Sequence, residues 1–142
     1  MNLTQRQQQV YDLMIKGFSQ RTSAKIIGLS VRSVKEYSAQ IYKKLEAHSA
    51  REVVAKHYMG MGCINENGMP GVELLSKAER RVYDQLITGI SRKQMAANIF
   101  LSEHTVRFHL RVISQKLGTN SMLEIVIKHY TSGHNTEMRE AA

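Results

Sequence analysis

The chain repeats itself. Shifting the sequence by 72 residues lays Leu3–Tyr58 over Leu75–Tyr130 without a gap, and 21 of the 56 aligned positions are identical. The identities come in blocks: Val10-Tyr11-Asp12 over Val82-Tyr83-Asp84, Gly17 over Gly89, Leu29-Ser30 over Leu101-Ser102, and Lys56-His57-Tyr58 over Lys128-His129-Tyr130. Such a period marks a duplicated unit, so the 142 residues are expected to form two small cores rather than one. The first unit is placed at 1–59 and the second at 74–131. Between them, residues 60–73 (GMGCINENGMPGVE) hold four glycines and the sole proline, Pro70, which break any periodicity and read as a linker. Residues 132–142 read as a polar tail.

Each unit carries start and stop signals for four helices, and the expected fold class is all-α. Thr4 caps the first helix, Val10, Leu13 and Met14 line its buried stripe, and Gly17 ends it in a left-handed conformation. Ser76, Val82, Leu86 and Gly89 repeat that scheme. Ser19 and Ser91 cap a short second helix, buried through Ala24 and Ile27 in one copy and Met95, Ala96 and Ile99 in the other. A third start follows almost at once, at Ser30 or Ser102, which is the tight connection of a helix-turn-helix. The third helices bury Val34, Ile41 and Leu45, or Val106, Leu110, Ile113 and Leu117, and leave their opposite faces free. Fourth helices start from Ser49 and Ser121.

Charge narrows the partner. With 20 Lys and Arg against 12 Asp and Glu, the formal charge of +8 favours a polyanion, nucleic acid first. An anionic membrane is the weaker alternative, since no apolar run approaches the roughly 20 residues of a spanning helix and the N-terminus MNLTQRQQQV is too polar for a signal peptide. The single Cys63 allows neither an intrachain disulfide nor a cysteine metal cluster, in keeping with a reducing cytoplasm. No cofactor or metal is expected, and no enzyme: there is no nucleophile elbow and no glycine-rich phosphate loop, and nothing brings Cys63 to a histidine. His57 and His129, repeated with the same neighbours, are read as structural.

The segment LSKAERRVYDQLITGISRKQMAANIFLSEHTVRFHLRVISQKLGTNS resembles the LuxR/FixJ/GerE helix-turn-helix domain, whose pattern is close to LTxREREVLxLLAxGxSNKEIAxxLxISExTVKxHLxxIxxKLGVxS. The first copy keeps the spacing but has Gln7 and Gln9 where the family has acids, and Tyr37 where it has His. The resemblance implies that each third helix enters the DNA major groove. Carried over by position, Arg107, Phe108 and Arg111 are the expected base-facing residues of the second unit, with Thr105, His109 and Lys116 on phosphates. Arginine can take guanine O6 and N7 in a bidentate fork, and Phe108 can press on a thymine methyl. The first unit offers Lys35, Glu36 and Ala39 at the matching places, with Arg32, Ser33 and Lys44 near phosphates. Glu36 can accept from cytosine N4 but repels phosphate, and Ala39 has no donor, so the second unit is expected to dominate discrimination.

The resemblance also implies pairing through fourth helices, expected to expose Val53, Val54 and Tyr58, or Ile125, Val126 and Tyr130. A homodimer is the favoured arrangement and an intrachain pseudo-dimer the alternative, which a flexible linker of about 16 residues with a reach near 20–25 Å permits. The expected function is therefore a cytoplasmic, sequence-specific DNA-binding transcription regulator. The competing class is an interaction protein that holds RNA polymerase or another regulator through the same trihelical module, favoured by Glu36 and Ala39.

Overall fold

The structure, a computed structural model, describes residues 2–63 and 65–141, with side chains as far as Ser132. Eight α-helices and no strand occur among the described residues. Unit one holds α1 (Gln5–Ile15), α2 (Gln20–Ile27), α3 (Val31–Leu45) and α4 (Ala50–Gly60); unit two holds α5 (Lys77–Leu86), α6 (Arg92–Ile99), α7 (Glu103–Leu117) and α8 (Met122–Ala141).

Hydroxyl caps fix where the helices begin. Thr4, Ser19, Ser30, Ser49, Ser76, Ser91, Ser102 and Ser121 each accept a hydrogen bond from the backbone N–H three residues on, satisfying a donor that the first helical turn cannot. Thr4 with Gln7 and Ser76 with Glu79 close full capping boxes. Val10, Met14, Val34 and Ile41 then bury one core, and Val82, Leu86, Met95, Ile99, Val106, Leu110 and Ile113 the other.

A histidine stitches the fourth helix of each unit to the first. The Tyr83 hydroxyl accepts from the Met69 N–H at 3.0 Å and shares a hydrogen bond of 2.7 Å with His129 Nδ1, and burial favours the neutral ring of His129. Tyr11 and His57 form the same pair at 2.8 Å.

Residues 60–73 do not behave as the flexible tether expected. Cys63 and Met69 are buried in the core of unit two, and Asn65 Nδ2 donates to the His129 carbonyl at 2.6 Å. Arg80 reaches the Glu66 carbonyl at 3.1 Å, and a single 3-10 turn at Val72–Leu74 leads into α5. Glycine and proline do interrupt the helices here, but Cys63 and Met69 between them fold inward. At the far end, α8 runs past residue 131, where the unit was expected to stop, and its backbone continues to Ala141. The side chains of the expected polar tail, His134 included, lie outside the described residues.

The two units pack on each other within one chain, α4 against α8. Val54 and Ala55 of α4 are fully buried in the core cluster of unit two. The contacts are reciprocal. Leu123 of α8 borders a cavity with Phe18 and Ser19, and its counterpart Arg51 of α4 borders one with Ile90 and Ser91. Gly89, at φ +83°, lies so close to α4 that a Cβ would stand 2.6 Å from Glu52 Cα. Glycine is thus required there twice, for its left-handed backbone and for the approach of the two units. Reciprocal contacts of this kind are those of a two-fold dimer interface, here with both halves on one polypeptide.

Candidate nucleic-acid interface

The third helix of unit two separates its residues cleanly by face. Val106, Leu110 and Ile113 are buried, while Arg107, Phe108 and Arg111 are exposed. Among the described residues, neither Arg107 nor Arg111 is paired with a carboxylate, so both guanidinium groups are available. Phe108 is 55% exposed, a large aromatic on the polar side of its helix, with its ring centroid 6.0 Å from that of His109. His109 is half-buried, and its Nδ1 is buried without a hydrogen-bond partner. Thr105 sits in the first turn, its N–H on the Ser102 hydroxyl at 3.0 Å and its own hydroxyl 2.9 Å from that oxygen. A hydroxyl so placed still has acceptor capacity, and the free N–H groups of the turn bring positive potential.

Lys116 is exposed but already engaged. Its ammonium donates to Glu79 Oε1 at 2.7 Å, across to the N-terminus of α5. That hydrogen bond, together with the one from the Ser76 backbone N–H, holds the Glu79 carboxyl below its ordinary pKa. Lys44 is held in the same way at the start of α1, donating to Gln7 Oε1 at 2.7 Å and to the Asn2 carbonyl at 2.8 Å. Both lysines therefore tie a third helix to a first helix, a task that their charge alone did not reveal.

On α3, Arg32, Lys35, Glu36 and Ala39 are exposed and Ser33 is half-buried. Arg32 Nε lies 3.6 Å from Glu36 Oε1, one helical turn on. This pair is solvated and worth little in stability, but it spends the positive charge of Arg32 on a neighbour. Lys35 is left as the unpaired cation among the four. The reading face of unit one is thus more nearly neutral than that of unit two.

The residues expected to be exposed for a second chain are not exposed. Val53, Val54, Ile125, Val126 and Tyr130 are buried and Tyr58 is half-buried within the single chain: Val53 lies in the core of unit one, while Val54 joins Ile125, Val126 and Tyr130 in the core cluster of unit two. Spacing marks these side chains as the apolar positions of the fourth helices, but it cannot tell a partner on another molecule from the unit's own core or from a counterpart 72 positions along the same molecule. The tyrosine–histidine pairs were also missed, although the repeated Val-Tyr-Asp and Lys-His-Tyr blocks were their signal. Among the described residues no cluster of His, Cys, Asp or Glu is arranged to hold a metal ion, and no helix is long and apolar enough to cross a membrane.

Comparison with known families decides the relationship. The profile of the GerE family, described as bacterial regulatory proteins of the luxR family, matches residues 1–56 and 73–129. The chain belongs to the luxR family of bacterial regulatory proteins. Within the luxR family it is similar to the spore germination protein GerE of Bacillus subtilis, 38% identical over 55 residues, 39% of this chain and 74% of that protein. It is equally similar, 38% over 56 residues, to the nitrate/nitrite response regulator protein homolog of Haemophilus influenzae, covering 39% of this chain and 27% of that protein. A probable transcriptional regulatory protein NarL of Mycobacterium tuberculosis is 31% identical over 78 residues, 54% of this chain and 36% of its own length. The chain thus spans about a quarter to a third of two of these relatives and three quarters of the third. No solved structure matches it at the same level of significance.

Proposed function

We propose that this luxR-family chain is a sequence-specific DNA-binding transcription regulator that reads the major groove with α7 and, less discriminatingly, with α3. The observation that carries the reading is the exposed, uncompensated pair Arg107 and Arg111 flanking Phe108 on the outer face of α7. Residues one turn apart on a helix face can meet adjacent base pairs, and a good bidentate arginine contact is worth about 1–3 kcal/mol of discrimination. Thr105 and Ser33 are assigned to phosphates at the helix starts, with His109, Arg32 and Lys35 adding positive or hydrogen-bonding contacts nearby. Lys44 and Lys116 act first as ties to α1 and α5, and they contribute to the field rather than to a direct contact.

In this reading the chain works as a covalent pseudo-dimer. One molecule presents two unlike readers, so its operator has two unequal halves, and their spacing is set by the α4–α8 packing. Control of transcription then requires only one copy per site. Contact with RNA polymerase by unit one is the second reading, favoured by the Arg32–Glu36 pair and by Ala39, which weaken α3 as a reader.

Selection of bound duplexes from a random pool tests the proposal. The expected product is a site with one strongly and one weakly specified half. Arg107→Ala should relax the strong half, whereas Lys35→Ala should weaken binding to all sequences alike. A pool that emerges unenriched, or greater loss of discrimination from Lys35→Ala, would overturn it.

A further inference from the structure

The two cores differ where the repeat leads one to expect a match. In unit two, Met95 of α6 and Leu110 of α7 are buried and fill the space beside α5. The shift of 72 residues puts Ser23 of α2 and Ser38 of α3 at those positions. Both serines are buried as well, yet each is two heavy atoms shorter than its counterpart. A cleft of about 220 Å³, partly open to solvent beside Phe18 and Ser19, lies between the helices of unit one, lined by Val10, Met14, Ser23, Val34, Ser38 and Tyr42. Phe18, which is exposed, and Leu123 of α8 also border it.

One polar group of its wall, the Ser38 hydroxyl, has no partner among the described residues. Ser38 is 1% exposed, and its Oγ makes no hydrogen bond, not even to the carbonyl one turn back that a helical serine ordinarily uses. Buried hydroxyls are ordinarily bonded, so an orphaned hydroxyl in the wall of a largely apolar cleft is a departure from the rule. Unit two has apolar side chains at both positions, which shows that the fold itself does not need the serines.

We infer that this cleft is a binding site for a small, largely apolar molecule carrying one hydrogen-bonding group, of the size of a hydroxylated benzene ring. Apolar cavities of roughly 150 Å³ in protein cores hold benzene, so the space here suffices for such a ring. Its polar atom bonds Ser38 Oγ, and its body lies against Val10, Met14 and Val34. The site sits beneath α3, on the side opposite Arg32 and Lys35. It does not depend on the DNA-binding reading, because it is defined and tested without DNA.

Phenol and benzene are the probes, titrated into the full chain by calorimetry and followed by thermal unfolding. Wild type is expected to bind phenol saturably at one site and to melt higher as phenol is added. Ser38→Leu, which installs the residue type found at Leu110, should abolish phenol binding and raise Tm without ligand. Ser38→Ala keeps the space but removes the hydroxyl, and should weaken phenol about tenfold, the equivalent of one hydrogen bond, while leaving benzene unchanged. Absence of saturable binding of either probe to wild type, phenol binding undiminished in Ser38→Leu, or an unchanged phenol affinity in Ser38→Ala would each overturn the inference.

Discussion

The ring of Tyr58 lies flat against that of Tyr130, with centroids 5.7 Å apart and planes within 9° of parallel. The two residues are counterparts under the internal repeat, and a residue that meets its own counterpart marks the axis of a two-fold arrangement. The Tyr130 hydroxyl goes on to the Ile87 carbonyl at 2.7 Å. Beside the tyrosines, Val54, Ile125 and Val126 are fully buried. This surface is therefore spent inside the molecule. The free protein should sediment as a species of 16.2 kDa at micromolar concentration. Val126→Asp, which buries an unpaired carboxylate there, should cost about 3–5 kcal/mol in urea unfolding. A dimer that Val126→Asp dissolves into stable folded monomers would contradict the arrangement.

Acid should destabilise the fold through His129. Burial first, and Arg80 second, push this imidazole from the ordinary 6.5 down to about 4, against an opposing pull from Asp84. The unfolded chain takes up a proton near pH 6.5 while the folded chain refuses it until about 4. The unfolded state thus binds more protons in that window. The stabilisation is complete above 6.5 and is lost as pH falls towards 4, on the order of 3 kcal/mol in all. His57 is also shifted down, chiefly by burial, and adds to the loss. Urea midpoints measured from pH 7 to 4.5 should fall steadily, and a flat profile contradicts the role given to the pair.

Phe100 ends α6 in the left-handed region at φ 57° with its side chain 92% exposed, whereas its counterpart Gly28 adopts φ 81° without a side chain to accommodate. A non-glycine residue there costs about 1–2 kcal/mol, partly offset by the stiffer unfolded chain. Phe100→Gly should therefore raise stability by about 1 kcal/mol, seen as a Tm increase of about 2–4 °C. A decrease would mean that Phe100 packs more tightly than its exposure indicates.

Gln7→Glu should also stabilise. Gln7 Oε1 accepts from Lys44 Nζ at 2.7 Å, the distance at which Glu79 meets Lys116 in the other unit. A carboxylate there turns a neutral contact into an ion pair at the start of α1, where negative charge suits the helix dipole, and Gln40 can turn its amide to keep its own bond. The gain expected at pH 7 is about 0.5–1 kcal/mol by urea unfolding, disappearing in acid.

Much of this architecture is legible without coordinates because it is local. The hydroxyl caps from Thr4 to Ser121, the buried stripes through Val10 or Val106, and the left-handed Gly17 and Gly89 each depend on residues within a turn or two. The outward placement of Arg107, Phe108 and Arg111 follows from the same periodicity. What was illegible is long-range. Met69 and Cys63 sit among glycines that read as loop, and only the space beside Tyr83 and Tyr58 shows that they turn inward. Lys44 and Lys116 are cations without visible partners until α1 and α5 come alongside. Val54 and Val126 advertise an interface but not whose.

In the proposed function one chain grips DNA through α3 and α7. The most direct measurement is a titration of this protein against its selected duplex over a salt series, with stoichiometry taken from the saturation point. Phosphate contacts release counterions, so affinity should fall steeply with log salt, with one chain per duplex, and Arg107→Ala should lose about 1–3 kcal/mol on the selected site. Failure to bind any duplex at low ionic strength, or saturation at two chains per site, would contradict it.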